Sequence, residues 1–142
     1  MSAKSNEIRL WITKGDHDLG TAKITFKHIP DFLDTVTFHC QQATEKYLKA
    51  YLIHLSVAFR FTHDLIYLLD LVSEKDSTFL KYYDPLSELQ GYAVEVRYPN
   101  ETIYLTKDKV EKAIRISTEI RSFILAKIKI KITHHPIIDD QG

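Results

Sequence analysis

The densest run of groups able to do ionic or acid–base chemistry is Phe38-His39-Cys40-Gln41-Gln42-Ala43-Thr44-Glu45-Lys46-Tyr47-Leu48-Lys49-Ala50. On a helix, Gln42, Glu45, Lys46 and Lys49 fall three or four residues apart and share a face. Glu45 and Lys49 can pair at spacing four, which is worth about 0.2–0.5 kcal/mol when exposed. Such a strip is either a solvated helix face or the lining of a groove or subunit contact. A second cluster is Arg97-Tyr98-Pro99-Asn100-Glu101-Thr102-Ile103-Tyr104. The guanidinium fork suits phosphate, and a phenol ring can stack on a base. Pro99 places this stretch in a turn that reaches solvent, where sites are favoured.

Other chemistries find little support. The chain has seven histidines, but His17, His28, His39, His54 and His63 are scattered without the i, i+4 spacing of a helical metal pair. His134 and His135 are adjacent, and adjacent side chains point apart on regular structure. Cys40 is the single cysteine, so there is no intrachain disulfide and no cysteine-based zinc site. Neither a glycine-rich phosphate loop nor a nucleophile elbow is present. No metal and no cofactor are expected. His63, beside Asp64, reads as a capping or hydrogen-bonding group before a catalytic one.

The elements that must position these residues are helices. The four glycines and four prolines leave residues 31–84 and 100–135 free of both, which favours long helices over many short strands. Leu33, Val36, Cys40, Ala43, Tyr47 and Ala50 trace one helical face, with Asp31 as the expected cap. Leu65, Leu68, Leu69 and Val72 repeat the pattern behind Thr62 as cap. Phe79, Leu80 and Tyr83 read as a helical lead-in. Asp84-Pro85 then reads as the start of a helix through Leu86, Leu89, Ala93 and Val96. Thr106 caps a final helix bearing Val110, Ala113, Ser117, Ile120, Ile124 and Ile128. The first helix, about Glu7 to Phe26, is the least secure, because Gly15 and Gly20 each cost it about 1 kcal/mol. The alternating Lys127-Ile128-Lys129-Ile130-Lys131-Ile132 has a strand's period but no partner, so it reads as the fraying end of the last helix. Its exposed isoleucines could serve an oligomer contact.

Each amphipathic stripe must bury against another, so the expected fold is all-α, an up-and-down bundle of four to five helices. The helical domain spans 7–125, and 126–142 is the helix end and a C-terminal tail. The net charge is zero over 142 residues, which speaks against a generally basic nucleic-acid binder. Residues 62–101 carry three basic and eight acidic groups, and residues 107–131 carry eight basic and three acidic, so these segments would neutralise each other if packed together. No apolar run approaches the roughly 18–20 residues that span a bilayer, and no membrane association is expected. The opening Met1-Ser2-Ala3-Lys4-Ser5-Asn6-Glu7 lacks the apolar core of a signal peptide, so the expected compartment is the cytoplasm. The supply of eight Tyr, seven Phe and one Trp exceeds what one small core readily hides, and it predicts a homodimer burying helix faces.

Taken together, the segments resemble the HEPN domain family (higher eukaryotes and prokaryotes nucleotide-binding) over about residues 7–125. Trp11 with Asp18-Leu19 and Ala22 looks like that family's first helix. Phe38-x-x-Gln41-Gln42-x-x-Glu45-Lys46-x-x-Lys49-Ala50 looks like its second-helix signature and is the most specific piece. Thr62-His63-Asp64-Leu65 looks like the start of its third helix, and Glu95-x-Arg97-Tyr98-Pro99 like the segment joining its last two long helices. The resemblance implies a dimerising helical bundle that works beside a nucleotidyltransferase partner, often in a toxin–antitoxin pair. It also implies, for many members, metal-independent RNA cleavage by an Arg followed after four to six residues by a His, sometimes with a Tyr two further on. Here Arg97 matches the arginine and Tyr104 the tyrosine. Thr102 stands in the histidine slot, and Ile103 and Tyr104 fill the alternative slots.

Threonine cannot move a proton near neutral pH. The sequence therefore reads as a non-catalytic HEPN-type module that dimerises and binds a nucleotidyltransferase, nucleotide or RNA. Arg97, Tyr98, Tyr104, Gln42, Glu45, Lys46 and Lys49 are its candidate binding residues. One alternative is a metal-independent endoribonuclease using Arg97, Tyr104 and His63. Another is a structural oligomerisation bundle in which Gln42, Glu45, Lys46 and Arg97 only fix helix packing.

Overall fold

The computed structural model describes residues 2–97 and 105–141, and from 93 to 97 the backbone only. The chain forms five α-helices: α1 (Ala3–His28), α2 (Leu33–His54), α3 (Leu65–Lys75), α4 (Tyr83–Arg97) and α5 (Lys107–Ile128). Two 3₁₀ turns, Ser77–Tyr82 and Pro136–Asp139, precede α4 and close the tail. Among the described residues there is no strand, and the all-α bundle agrees with the expectation.

Helix α2 lies at the centre and packs against all four other helices. Its predicted face holds: Val36, Cys40, Ala43, Tyr47 and Ala50 are fully buried, and Leu33 is half-buried. Because α2 is surrounded, Thr44, Leu48, Tyr51 and Leu52 on other sides of it are buried too. At the far end of the bundle, Phe79 stacks on Tyr51 and meets Phe123 edge-on, both at 5.0 Å between centroids.

Helix α1 is longer than expected. Ser2 caps it by accepting from the Ser5 amide at 3.0 Å, and neither glycine interrupts it. Both serve close packing instead. A Cβ on Gly15 would lie 2.6 Å from Tyr47 Cε1, and one on Gly20 would lie 3.2 Å from Ile137 Cγ2. The helix exchanges backbone entropy for close approach of α2 and of the tail.

Several expected starts are displaced. Asp31 does not cap α2: it sits in a tight turn in which the Phe32 amide donates to Ile29 O at 3.0 Å. The helix then starts at Leu33 without a side-chain cap, and Asp34 supplies the negative charge its first turn favours. Asp64, not Thr62, caps α3, accepting from the Ile66 and Tyr67 amides at 3.0 and 3.2 Å. Thr62 Oγ1 accepts from the Asp64 amide and shapes the turn before the cap. Asp84-Pro85 lies inside the first turn of α4, because the 3₁₀ turn capped by Asp76 runs directly into that helix. Leu86 and Leu89 are buried as expected, whereas the side chains of Ala93 and Val96 lie outside the described part. Thr106 caps α5 as expected, accepting from the Lys109 amide at 3.2 Å.

The stretch 127–132 is not a fraying helix. α5 ends at Ile128, where Lys129 adopts the left-handed conformation (φ 55°) and donates its amide to Leu125 O. Ile130 and Ile132 are half-buried against the core, and Arg9 Nε donates to Lys131 O, so these isoleucines face inward rather than forming an exposed patch. The tail then runs along α1. Buried Lys23 donates to the carbonyls of Ile138 and Asp140, Lys27 pairs with Asp140, and Ile138 is buried.

Candidate functional site

Three ionic groups radiate from α2. The deepest joins α1, α2 and α5. Arg121 Nε and Nη2 donate to the two oxygens of Asp16 at 2.7 and 3.0 Å, and Tyr47 Oη donates to Oδ1 at 2.7 Å. All three residues are buried. Burial, then the adjacent Asp16 charge, pushes the Tyr47 phenol above its usual range. Burial works to lower the Arg121 pKa, but Asp16 outweighs it and holds the guanidinium charged. All three groups are buried and satisfied by one another, so the cluster serves the packing of α1, α2 and α5. The sequence reading missed Asp16 and Arg121. The available signal was Asp16 lying four residues after Ile12 and three before Leu19, a carboxylate on an apolar stripe.

The second group holds Lys46. Its ammonium pairs with Asp18 Oδ2, and His39 Nδ1 contacts Asp18 Oδ1 at 2.8 Å. Gln42, on the same helix, is half-buried, and its side chain makes no hydrogen bond among the described residues. Its neighbour Gln41 donates to Leu89 O at 2.6 Å and ties α2 to α4.

The third group centres on Glu45. The expected pair with Lys49 forms, at 2.9 Å, but inside the protein: the side chains are only 5% and 4% exposed. Burial changes its meaning, because breaking one partner strands a charge in a poorly solvating interior. The Lys49 ammonium is also ringed by Trp11, Phe59 and Phe61, with centroids at 5.3, 5.9 and 5.7 Å. Glu45 Oε1 takes His63 Nδ1 at 2.8 Å. A carboxylate accepts, so Nδ1 carries the hydrogen, and Nε2 has no partner among the described residues. The His63 side chain is 63% exposed. His63 is thus a hydrogen-bonding residue, as expected, and also an imidazole oriented by a buried carboxylate. That is an arrangement able to accept or deliver a proton or to meet an anion.

Arg97 ends α4, but its side chain lies outside the described part, and so do Tyr98 and Tyr104 altogether. One contact bears on where α4 runs. Gln90 Oε1 accepts from the Leu65 amide at 2.6 Å, which sets the start of α3, two residues after His63, beside α4. Arg97 follows Gln90 by seven residues, about 10 Å along the helix.

Among the described residues no three His, Cys, Asp or Glu side chains cluster closely enough to hold a metal ion. Among them, too, no helix is long and apolar enough to cross a membrane. Burial pushes the Cys40 thiol well above its usual range, which leaves it inert as a nucleophile.

No curated protein and no solved structure matches the chain. A family model described as HEPN domain matches residues 8–129, a span that runs from the first buried turn of α1 to the left-handed cap of α5 and takes in all three ionic groups. A match over that share of the sequence, on a bundle of the expected kind, shows that the chain belongs to the HEPN domain family.

Proposed function

We propose that this HEPN domain is a non-catalytic module that dimerises and binds a nucleotidyltransferase partner, a nucleotide or RNA, working in the cytoplasm as one half of a toxin–antitoxin pair. The functional unit is the helical domain of residues 7–125, with 126–142 as its helix end and tail. The observation that carries this reading is Thr102 in the slot where RNA-cleaving members of the family place a histidine. Without a proton-transfer group beside Arg97, a guanidinium can hold phosphate but turns over poorly. In this reading Arg97, Tyr98 and Tyr104 make the contact, and Glu45, Lys46 and Lys49 hold the scaffold that presents it. That division is supported by the intramolecular partners of these three charges. Co-expression with a nucleotidyltransferase from the same genome should yield a stable complex, and sedimentation should give a dimer at tens of micromolar (order of magnitude). A monomer that takes neither that partner, nor nucleotide, nor RNA would overturn the proposal.

A second reading, a metal-independent endoribonuclease, is favoured by one observation: His63 is an exposed imidazole held through Nδ1 by Glu45, two residues before the Leu65 amide that donates to Gln90 of α4. Here His63 would supply the proton transfer that Thr102 cannot. RNA incubated with chelator separates the two readings. Cleavage by the wild type that is lost in both His63→Ala and Arg97→Ala establishes the enzyme. Absence of cleavage, or equal cleavage by all three proteins, leaves the binding module.

A further inference from the structure

The loop between α2 and α3 carries features that the Arg97 region does not account for. Phe61 is 86% exposed, the most exposed of the large apolar side chains among the described residues. An aromatic ring left almost wholly in water forgoes its burial energy, and such rings commonly mark contact sites. It is nonetheless positioned. His63 meets it edge-on at 5.3 Å between centroids, and the Lys49 ammonium lies 5.7 Å from its centroid.

Arg60 stands next to it. Its guanidinium carbon lies 3.7 Å from the centroid of Tyr67, and its backbone amide donates to Tyr67 Oη at 3.2 Å. Among the described residues no carboxylate lies within ion-pair distance of that guanidinium. Arg60 is therefore held in place with its charge and its donors unspent. On the other flank, His63 is held through Nδ1 by Glu45, and its side chain is mostly exposed. The one acid of this loop, Asp64, directs its carboxylate at the amides of Ile66 and Tyr67.

We propose that Arg60, Phe61 and His63 form a nucleotide-binding subsite, with a base stacked on Phe61 and the attached phosphate met by Arg60 and His63. The chemistry is complementary part by part. A lone exposed ring accepts any base face, a guanidinium and an imidazole N–H can donate to phosphate oxygens, and a fixed loop pays less entropy on binding. A protein partner would instead call for a contiguous apolar patch; Phe61 is flanked in the chain by Arg60, Thr62 and His63, and the nearby Trp11 and Phe59 are partly buried against the core. The proposal rests on the nucleotide and RNA arm of the function proposed above and gives it a second contact point, separate in sequence from Arg97.

The test is a titration of the full chain with fluorescent decauridylate and, separately, with ATP. It compares wild type with Phe61→Ala, Phe61→Tyr, Arg60→Gln and Arg97→Ala, each checked for an unchanged circular-dichroism melt. Phe61→Ala should weaken binding about tenfold, Phe61→Tyr should restore it, and Arg60→Gln should lower the salt slope by about one. Whether the loss shows with the oligonucleotide, with ATP or with both identifies the source of the nucleotide. Binding unaffected by Phe61→Ala and Arg60→Gln but abolished by Arg97→Ala would overturn this subsite and leave the nucleotide-binding function standing. No binding of either probe by the wild type would remove the subsite and the nucleotide and RNA arm together.

Discussion

Asp16 is worth more to this molecule than any surface charge. It neutralises Arg121 and takes the Tyr47 hydroxyl inside the bundle, so removing it leaves a buried guanidinium without a counter-charge. Asp16→Asn should cost about 3–5 kcal/mol in urea unfolding, whereas a double replacement by apolar residues of like volume should recover much of it. Asp76 makes a pH-dependent contribution. Burial works to raise its pKa, but hydrogen bonds from Thr78, Tyr51 and Lys127 together outweigh burial and hold the carboxyl below its ordinary 3.8. The unfolded chain then binds the proton more readily than the folded one. The stabilisation is complete above that ordinary value and is lost as pH falls below it towards the folded pKa. Asp76→Asn should therefore lower Tm at pH 7, and its Tm should fall less than the wild type's between pH 5 and pH 2.

At the scale of elements, helix contacts depend on glycines that sequence reasoning counts as costs. Gly15→Ala drives a methyl into the Tyr47 ring, displaces its bond to Asp16 and should destabilise by about 2–4 kcal/mol, measured by denaturant midpoint. Deleting residues 130–142 strips Ile138 and the carbonyl partners of Lys23 from α1, and Tm should drop by at least about 5 °C. The long helices were legible because their apolar residues repeat every three or four positions, and Thr106 was legible because a cap lies next to its own helix. The tail was not, because its partners Arg9, Gly20 and Lys23 lie more than a hundred residues earlier in the chain. The same holds for the polar strip. Its shared face could be read from spacing, but its partners come from other elements: Asp18 and Trp11 from α1, His63 from the loop before α3. Periodicity reports which side of a helix is apolar, not which distant carboxylate or ring arrives there. Thr62 is displaced because Asp64, two residues on, can also cap and the turn selects it, and Asp31 because the turn of Phe32 onto Ile29 leaves α2 with no side-chain cap at all.

Across the whole molecule, the acidic middle and the basic last helix do face one another. Lys112 reaches Glu88 at 2.8 Å and Lys127 reaches Asp76 at 3.0 Å, so opposite charges meet within one chain. Partly exposed pairs of this sort are worth about 0–1 kcal/mol each, and 1 M salt should shift the denaturant midpoint only slightly. Cys40 has a different consequence. It is the sole sulfhydryl, it lies at the centre of α2 with no exposed surface, and burial suppresses its thiolate. Iodoacetamide should therefore leave the native protein unmodified and alkylate it only as fast as the bundle opens as a whole. The chain thus carries its own built-in clock for unfolding, and a dye attached through a newly introduced surface cysteine would label that position alone.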